Sequence, residues 1–487
     1  MVKKSASAEI HRRLNHPVID ADGHWIEFEP TLVDYIDAVA GSAMADRFRH
    51  DDYLAGLAGW LRMSIEERRA RRSIQPPWWG FPARNALDRA TAMLPGLLHE
   101  RMDEIGLDFA IAYPTLALFF AAIRDHELQL AAYRAYNVMA SELFRDVGDR
   151  LIPAACIPMH TPAEAIEELD FTARLGLRAM MMTSLMRRPI QAGQHDGESS
   201  RYANWPDALG LESEYDYDPV WAKCLALRVV PTFHSASQGL GTRVSYSNFV
   251  YNHIGHFAAA GEAVCKSLFL GGVTRRFPTL KFAFLEGGVG WACMLYSDLI
   301  GHWKKRNLAA LENTNPANLD VEALAEYFRR YGTSPLSKHI DQLGALHHLL
   351  GGIEPVDDFA LCGIASAEDV PKMFVNNFYF GCEADDPVNS WAFNTSVNPY
   401  GVKLHAMMGS DIGHFDVVEM TDVLAEAYEL VERRQLDDDD FSDFVFGNPV
   451  RFWGGANPDF FKGTVIEKQA AACLQKSDLP IQSAAAQ

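Results

Sequence analysis

The chain has 487 residues, of which 48% are hydrophobic and 22% charged, and its formal net charge is −20. This composition is typical of a globular protein rather than a disordered one, and the negative charge argues against a nucleic-acid or anionic-lipid partner, which would require a basic surface. No apolar run reaches the roughly 20 residues of a membrane-spanning helix. The seven cysteines form no Cys-x-x-Cys pair, which is typical of a reducing compartment. We therefore expect a cytoplasmic protein that acts on a small molecule, with no membrane and no nucleic-acid partner.

Eight short apolar runs, several of which end in polar residues, predict the strands of a parallel sheet. They cover residues 18–24, 107–113, 151–157, 177–183, 228–234, 280–286, 377–383 and 402–411. Helical patterns lie between them, at 125–147, 248–268, 290–306 and 416–434 among others. Strands that alternate with helices form parallel sheets through right-handed crossovers. Eight such units predict an α/β fold, a distorted (β/α)8 TIM barrel whose functional residues collect at the carboxyl ends of the strands.

Three segments are longer than the connections of a simple barrel: residues 31–101, 186–217 and 307–372. Because they follow strands, we expect them as helical insertions at the catalytic face, either covering the mouth or buried in an oligomer. The sequence shows no linker to a second domain, so residues 1–468 are predicted to form one barrel. Residues 469–487 are polar and rich in alanine and are predicted to be a loosely held tail.

The first predicted strand carries three ligand-type side chains, Asp20, Asp22 and His24. Side chains alternate along a strand, so all three are expected on one face. Buried carboxylates are costly unless they are paired, hydrogen-bonded or bound to a cation. The pattern alone also fits an ordinary strand that runs into a turn, so residues elsewhere in the chain must decide between the two interpretations.

Ionisable residues also stand at the ends of four later strands: His234, Glu286, Glu383 and Asp411. An ordinary explanation exists for most of them. His234 fits a hydrogen-bonded core histidine, Glu286 a helix cap and Asp411 an Asx turn. A single metal site at the barrel mouth explains them together, and it is the hypothesis we favour.

Several motifs resemble one known family. They are the first-strand motif, the block at 277–291, Gly-Ser-Asp at 409–411 and Asn-Pro-Val-Arg-Phe-Trp at 448–453. Together they resemble the amidohydrolase superfamily, and within it the amidohydrolase 2 branch that includes amino-carboxymuconate-semialdehyde decarboxylase. The resemblance covers most of the chain outside the insertions and implies a metal-dependent barrel enzyme.

The resemblance also implies which residues hold the metal. Asp22 and His24 match the first-strand ligands of the branch, and His234 and Asp411 match the fifth- and eighth-strand ligands. Glu286 takes the sixth-strand place, whose side chain acts on the substrate. Glu286 and Asp411 are therefore the candidate catalytic residues, and Glu286 is also a candidate ligand.

Two positions depart from the branch, because Asp22 and Glu286 stand where histidine is usual. Carboxylates make the ligand set harder, which favours manganese or iron over zinc. The superfamily's bridging lysine has no counterpart in the fourth-strand segment 177–184, so we expect one ion, with two as the alternative. The further candidate ligands are Asp20, Glu27, Glu29, His302 and His414.

Histidines on predicted helices have simpler explanations. His302 lies four residues after Asp298 and also fits an exposed helix histidine. His253 and His256, three residues apart, are interpreted as packing residues and are not included in the site.

Three hypotheses for function remain open. The first is a metal-dependent enzyme that hydrolyses or decarboxylates a small organic substrate, in which Asp411 or Glu286 moves the proton. The second is a dinuclear iron or manganese monooxygenase on the same barrel, which a carboxylate-rich mouth suits. The third is a noncatalytic, metal-bearing partner subunit of such an enzyme. We expect a homo- or hetero-oligomer.

Overall fold

All eight predicted strands form, and they pair in parallel in the order in which they occur along the chain. The computed structural model describes residues 5–51, 60–77, 80–81, 83–190, 203–234, 241–343 and 356–477. The barrel strands are β1 (Ile19–Trp25), β2 (Phe109–Pro114), β3 (Leu151–Ile157), β4 (Ala179–Met182), β7 (Pro231–Phe233), β8 (Phe282–Phe284), β9 (Phe378–Glu383) and β10 (His405–Gly409). Each lies within or overlaps its predicted run. The (β/α)8 barrel prediction is therefore confirmed.

Backbone hydrogen bonds join the first strand to the end of the last one. The Asp411 N–H donates to the Asp22 carbonyl oxygen at 3.0 Å, and the His24 N–H donates to the Ile412 carbonyl oxygen at 3.1 Å. These bonds lie at the carboxyl ends of β1 and β10. Side chains from the two ends of the sequence therefore meet at the barrel mouth.

Helices alternate with the strands, and the buried apolar side chains of both form one core cluster. The α-helices in the described part of the chain are Ala6–His11, Glu29–Ala40, Ser42–His50, Ile65–Arg71, Ala86–Met93, Pro95–Ile105, His126–Leu143, Pro162–Arg174, Asp218–Leu227, Phe249–His253, His256–Leu270, Val273–Arg276, Gly290–Arg306, Leu308–Leu311, Val321–Tyr331, Ser334–Ser337, Asp369–Asn377, Val423–Glu432, Asp438–Ser442, Asn448–Ala456 and Glu467–Ser477. None of the helices in these ranges combines the length and the apolar composition needed to cross a membrane.

Local sequence explains where several helices begin. Thr161 forms a capping box with Glu164, because its hydroxyl accepts from the Glu164 N–H while the Glu164 carboxylate accepts from the Thr161 N–H. Asp125 and Asp437 cap their helices through side-chain oxygens. Such caps satisfy N–H groups that have no partner within the helix.

Two expectations about helices need correction. The helix predicted at 248–268 is divided: its first part ends at His253, and Gly255, with a left-handed φ of 67°, precedes the second part. The 186–217 insertion is not helical in its described part, because β5 (Met186–Pro189) and β6 (Asn204–Asp207) pair as an antiparallel hairpin. Residues 191–202 between them lie outside the described residues.

The predicted tail is ordered over its first residues. Residues 469–477 belong to the helix Glu467–Ser477, and Ala470 is only 1% exposed. This helix packs on the helix Asn448–Ala456, and the boundary predicted at residue 469 stays a prediction. Residues 478–487 lie outside the described part.

The first insertion packs at the barrel mouth. The Asn252 side chain donates to the Gln75 carbonyl oxygen at 2.7 Å, and the Gln75 N–H donates to the Ser245 carbonyl oxygen at 2.8 Å. Further along, the Ile26 N–H donates to the Ala92 carbonyl oxygen at 2.9 Å. Parts of the 31–101 segment therefore border the site described next.

Candidate metal centre

Two imidazoles from different strands face each other at the barrel mouth. His24 lies on β1 and His234 directly follows β7, and their Nε2 atoms are 3.0 Å apart. Asp22 Oδ1 lies 3.9 Å from each of these nitrogens. All three side chains are almost completely buried.

Two more carboxylates complete the cluster. Glu286 Oε2 is 2.8 Å from His234 Nε2 and 3.9 Å from His24 Nε2. Asp411 Oδ1 is 3.4 Å from His24 Nε2 and 2.6 Å from His414 Nδ1. The structure thus brings together six of the predicted site residues, and their ligand-type atoms form two overlapping groups that share His24.

Four carboxylate oxygens of this cluster are buried and have no hydrogen-bond partner among the described residues. In the described part of the chain these buried, unpartnered atoms are Asp22 Oδ1, Glu286 Oε2 and both Asp411 oxygens. The contacts of 2.8 Å to His234 and 2.6 Å to His414 therefore bring atoms close without hydrogen-bond geometry. Buried polar atoms are nearly always satisfied, so this concentration indicates that a cation belongs among them.

The spacing of these atoms fits a divalent metal ion. Ligands about 2.1 Å from an ion stand about 3.0 Å apart at octahedral corners and about 3.4 Å apart at tetrahedral ones. The separations given above, from 2.6 to 3.9 Å, bracket these values. Imidazole nitrogens with carboxylate oxygens are also the ligand types that suit manganese, iron and zinc.

Burial controls the charge of the cluster. Removal from water raises the pKa of Asp22 to about 8, with the Glu286 charge adding to the effect. Burial, together with neighbouring carboxylates that include Asp416, also holds the pKa values of Glu286 and Asp411 well above their usual range. Burial lowers the pKa of His414 to about 3. The histidines are therefore neutral, and a bound cation would allow the carboxylates to ionise.

A hydrogen bond from its Nδ1 atom fixes the orientation of the His24 ring. Its Nδ1 lies 3.0 Å from the Pro114 carbonyl oxygen, and because a carbonyl only accepts, Nδ1 carries the proton. Burial keeps the pKa of this ring well below its usual value. The Nε2 lone pair therefore points into the cluster, as is usual for metal-binding histidines whose other nitrogen is hydrogen-bonded.

Unusual backbone conformations place two of the carboxylates. Glu286 and Asp411 have φ values of 55° and 51°, in the left-handed region that non-glycine residues seldom adopt. Strain of this kind clusters at functional sites. Gly409 also permits a close approach, since a Cβ atom there would lie 2.7 Å from the Asp22 Cβ.

Asp20 supports the cluster and is not part of it. Its Oδ1 accepts from the N–H groups of Asp22 and Ser410 at 3.2 and 2.9 Å, and its Oδ2 accepts from the Ser410 hydroxyl. The β1–β2 register shifts between Asp20 and Gly23, which interrupts strict alternation. The expectation that Asp20, Asp22 and His24 share one face therefore needs correction.

Three other candidate ligands also lie outside the cluster. Glu27 accepts backbone N–H groups on both oxygens, at 2.7 to 3.0 Å, and so holds the loop after β2. Glu29 is exposed. His302 is exposed on the helix Gly290–Arg306, where its Nδ1 bonds to the Asp298 carbonyl oxygen at 2.7 Å. Of the two candidate histidine ligands His302 and His414, only His414 lies at the cluster.

A cavity of about 350 Å³ opens beside Glu286. Its lining includes Glu383, Asp386, Asp416, His253, His256, Phe257 and Phe415. The two histidines were interpreted from the sequence as packing residues; they do pack against neighbouring aromatic rings, and in addition they line this cavity. Their spacing in the sequence did not predict this placement at the cavity, because the helix break near Gly255 that separates them is not evident from the helical pattern.

Several solved structures are similar to this chain, and one of them, with a TM-score above 0.5, supports the barrel fold. An amidohydrolase from Mycobacterium avium subsp. paratuberculosis K-10 superposes with a TM-score of 0.51 at 16% identity, over 91% of this chain and 98% of that one. A 5-carboxyvanillate decarboxylase from Novosphingobium aromaticivorans DSM 12444, with bound manganese, gives 0.48 at 12% identity over 90% and 97%. A 2,6-dihydroxybenzoate decarboxylase from Rhizobium gives 0.44 at 14% identity over 90% and 98%. No curated protein sequence matches the chain.

The sequence comparison goes further than the shape of the fold. The amidohydrolase family model matches residues 19–332. This range covers more than half of the chain and includes β1 through β8, with Asp22, His24, His234 and Glu286. The chain therefore belongs to the amidohydrolase family.

Proposed function

We propose that this protein is a metal-dependent enzyme that cleaves a small organic substrate at the barrel mouth, by hydrolysis rather than by decarboxylation. The ion would be held by Asp22, His24, His234 and Asp411, with Glu286 beside it. The observation that carries the proposal is the convergence of buried, unpartnered carboxylate oxygens on two neutral imidazole nitrogens. His414, 2.6 Å from Asp411, is an additional ligand or a support for that carboxylate.

A divalent ion in this position would polarise a substrate carbonyl and lower the pKa of a bound water to about 7. The chain's own residues would do the rest. Glu286 lines the cavity and belongs to the cluster, so its carboxylate is placed to accept a proton from water and return it to the leaving group. Asp411 Oδ1 lies 3.4 Å from His24 Nε2 in the same cluster, so this carboxylate can share the role.

The charge of the site favours hydrolysis. Decarboxylation requires a substrate carboxylate, yet the cluster already contains three carboxylates, more than one divalent ion neutralises. Glu383 and Asp416 add further acidic groups to the same cavity. A neutral carbonyl group meets less repulsion there than a carboxylate does.

The experiment is a product survey with metal-reconstituted protein. Metal-free protein is loaded with manganese, iron or zinc and offered small amides, lactones and aromatic carboxylates, while released amine or acid, carbon dioxide and oxygen uptake are followed. We expect hydrolysis that depends on the metal, is lost in Glu286→Gln, and persists in Glu322→Gln, an exposed control on the helix Val321–Tyr331.

Other outcomes separate the alternatives. Carbon dioxide release without hydrolysis would overturn the preference for hydrolysis, and substrate-dependent oxygen uptake would support a monooxygenase. Stoichiometric metal without turnover of any compound would favour a noncatalytic subunit.

A further inference from the structure

The cavity beside the candidate metal centre is strongly acidic. Glu286, Glu383, Asp386 and Asp416 all line it, and no lysine or arginine is among the described residues of its lining. Arg243 lies nearby, beside Gly255, but its Nε donates to the Ile254 carbonyl oxygen at 3.1 Å. Among the described residues that line it, the cavity therefore holds four carboxylates, with the cationic Arg243 nearby but outside the lining.

Only one of these carboxylates belongs to the metal cluster. Among the described residues, Glu383, Asp386 and Asp416 contribute no atom to the two groups of ligand-type atoms in the metal cluster. A metal ion bound in that cluster would therefore not be coordinated by these three carboxylates. One oxygen of Asp386 caps the following helical turn by accepting from the Val388 N–H at 2.9 Å, which leaves the other available. Burial and the surrounding carboxylates raise the pKa of Glu383 to about 8, as expected for an acidic group that lacks a counterion.

His256 gives independent evidence that this cavity receives a ligand. It is 3% exposed and lines the cavity, yet neither of its ring nitrogens has a hydrogen-bond partner in the described part of the chain. A buried imidazole normally uses at least one nitrogen. A ligand in the cavity would supply the partner that the protein does not.

The surroundings of His256 keep it in the form that can accept a hydrogen bond. Burial, reinforced by His253, Arg243 and His234, lowers the pKa of His256 to about 3, so the ring is neutral and carries a free lone pair. Phe257 packs against both His256 and His234, with ring centroids 4.0 and 5.2 Å away. Aromatic faces and neutral imidazoles are both good neighbours for an ammonium group.

We infer that the substrate carries a cationic nitrogen, an ammonium or guanidinium group, which binds between His256 and the carboxylates Glu383 and Asp386 while the reacting bond lies beside Glu286. This inference rests on the proposed function, because it assigns the substrate class of the same site. His256 is then a specificity-determining residue that contacts the cation directly.

The test compares three amides that differ only in the group remote from the amide: 5-aminopentanamide, pentanamide and 4-carbamoylbutanoate. Binding to manganese-loaded full-length protein is measured by titration calorimetry at pH 8. We expect 5-aminopentanamide to bind at least tenfold more tightly than pentanamide, and the carboxylate compound to bind most weakly.

Variants locate the preference. His256→Phe keeps an aromatic ring but removes both nitrogens. This variant and, separately, the double variant Glu383→Gln/Asp386→Asn should each reduce the preference for 5-aminopentanamide over pentanamide to less than threefold. His256→Asn restores a hydrogen-bond acceptor and should recover part of it. His302→Phe and Glu322→Gln, at exposed positions, are the matched controls and should keep the full preference. Circular dichroism checks the fold of each variant.

Failure of this inference is distinguishable from failure of the proposed function. Manganese bound at the normal stoichiometry, with no preference for the ammonium compound, would overturn the inference while leaving the metal centre intact. An ammonium preference in wild-type protein that takes up no manganese, iron or zinc would support the cation site and contradict the proposed metal centre.

Discussion

Replacing Asp20 by alanine separates the positioning of the metal centre from the stability of the fold. Asp20 accepts three hydrogen bonds, from the N–H groups of Asp22 and Ser410 and from the Ser410 hydroxyl. These bonds fix Asp22 and the backbone next to Asp411, so their loss should let both carboxylates move. Loss of such support typically costs 10- to 100-fold in metal affinity, which is the reduction we expect for manganese.

The effect on stability should be much smaller. Two buried N–H groups left without acceptors cost about 1–3 kcal/mol each. Burial, however, raises the pKa of Asp20 from 3.8 to about 6, so keeping it ionised at pH 7 already costs about 3 kcal/mol, at about 1.4 kcal/mol per pKa unit. These contributions oppose each other, and the net loss at pH 7 should be about 1 kcal/mol.

The pH dependence has a definite sign. A carboxyl group whose pKa is raised by folding stabilises the folded protein fully below its unfolded pKa, and this contribution is lost as pH rises through the folded value. Wild-type protein loses it between pH 4 and 6, and the alanine variant has none to lose. The difference in stability between the two should therefore shrink by about 1 kcal/mol from pH 5 to pH 7.

The assays are urea unfolding of the metal-free protein at both pH values and manganese titration at pH 7. Ser410→Ala, which removes only the hydroxyl donor, is the milder control. The reasoning would be refuted by a variant that loses several kcal/mol at pH 7 yet binds manganese with unchanged affinity.

Two further predictions concern the cluster itself. Burial raises the pKa of Asp22 to about 8, so its proton must leave when metal binds. Manganese affinity should therefore rise about tenfold per pH unit between pH 6 and 8 for each proton displaced. A calorimetric titration that finds a manganese affinity independent of pH would contradict this prediction. Gly409→Ala places a methyl group 2.7 Å from the Asp22 Cβ and should weaken manganese binding about tenfold or more, whereas Gly301→Ala, which meets nothing within 4 Å, should bind as wild type.

Much of the fold could be predicted because its signals are local. Short apolar runs specify strands, and residues such as Thr161 specify helix starts. The hairpin formed by β5 and β6 could not be predicted in this way, because Arg188 holds it through contacts made only in three dimensions. Its side chain binds Asp207 at 3.1 Å and Tyr217 at 2.8 Å.

Part of the candidate site could also be predicted from the sequence, and part of it could not. His24, His234 and Asp411 stand at strand ends, so barrel geometry alone predicts that they meet. The different roles of Asp20 and Asp22 depend on an irregularity in β1 and on Ser410, which is remote in sequence. His256 was not expected at the site because only the left-handed Gly255 reveals that the preceding helix has ended.

Metal content is the most direct test of the proposed centre. Wild-type protein and His234→Ala, each dialysed against manganese and then against metal-free buffer, are analysed by inductively coupled plasma mass spectrometry, with His302→Ala as the matched control. We predict about one ion per chain in the wild type and the control, and none in His234→Ala. Stoichiometric metal retained by a folded His234→Ala protein would contradict the assignment of this cluster as the metal centre.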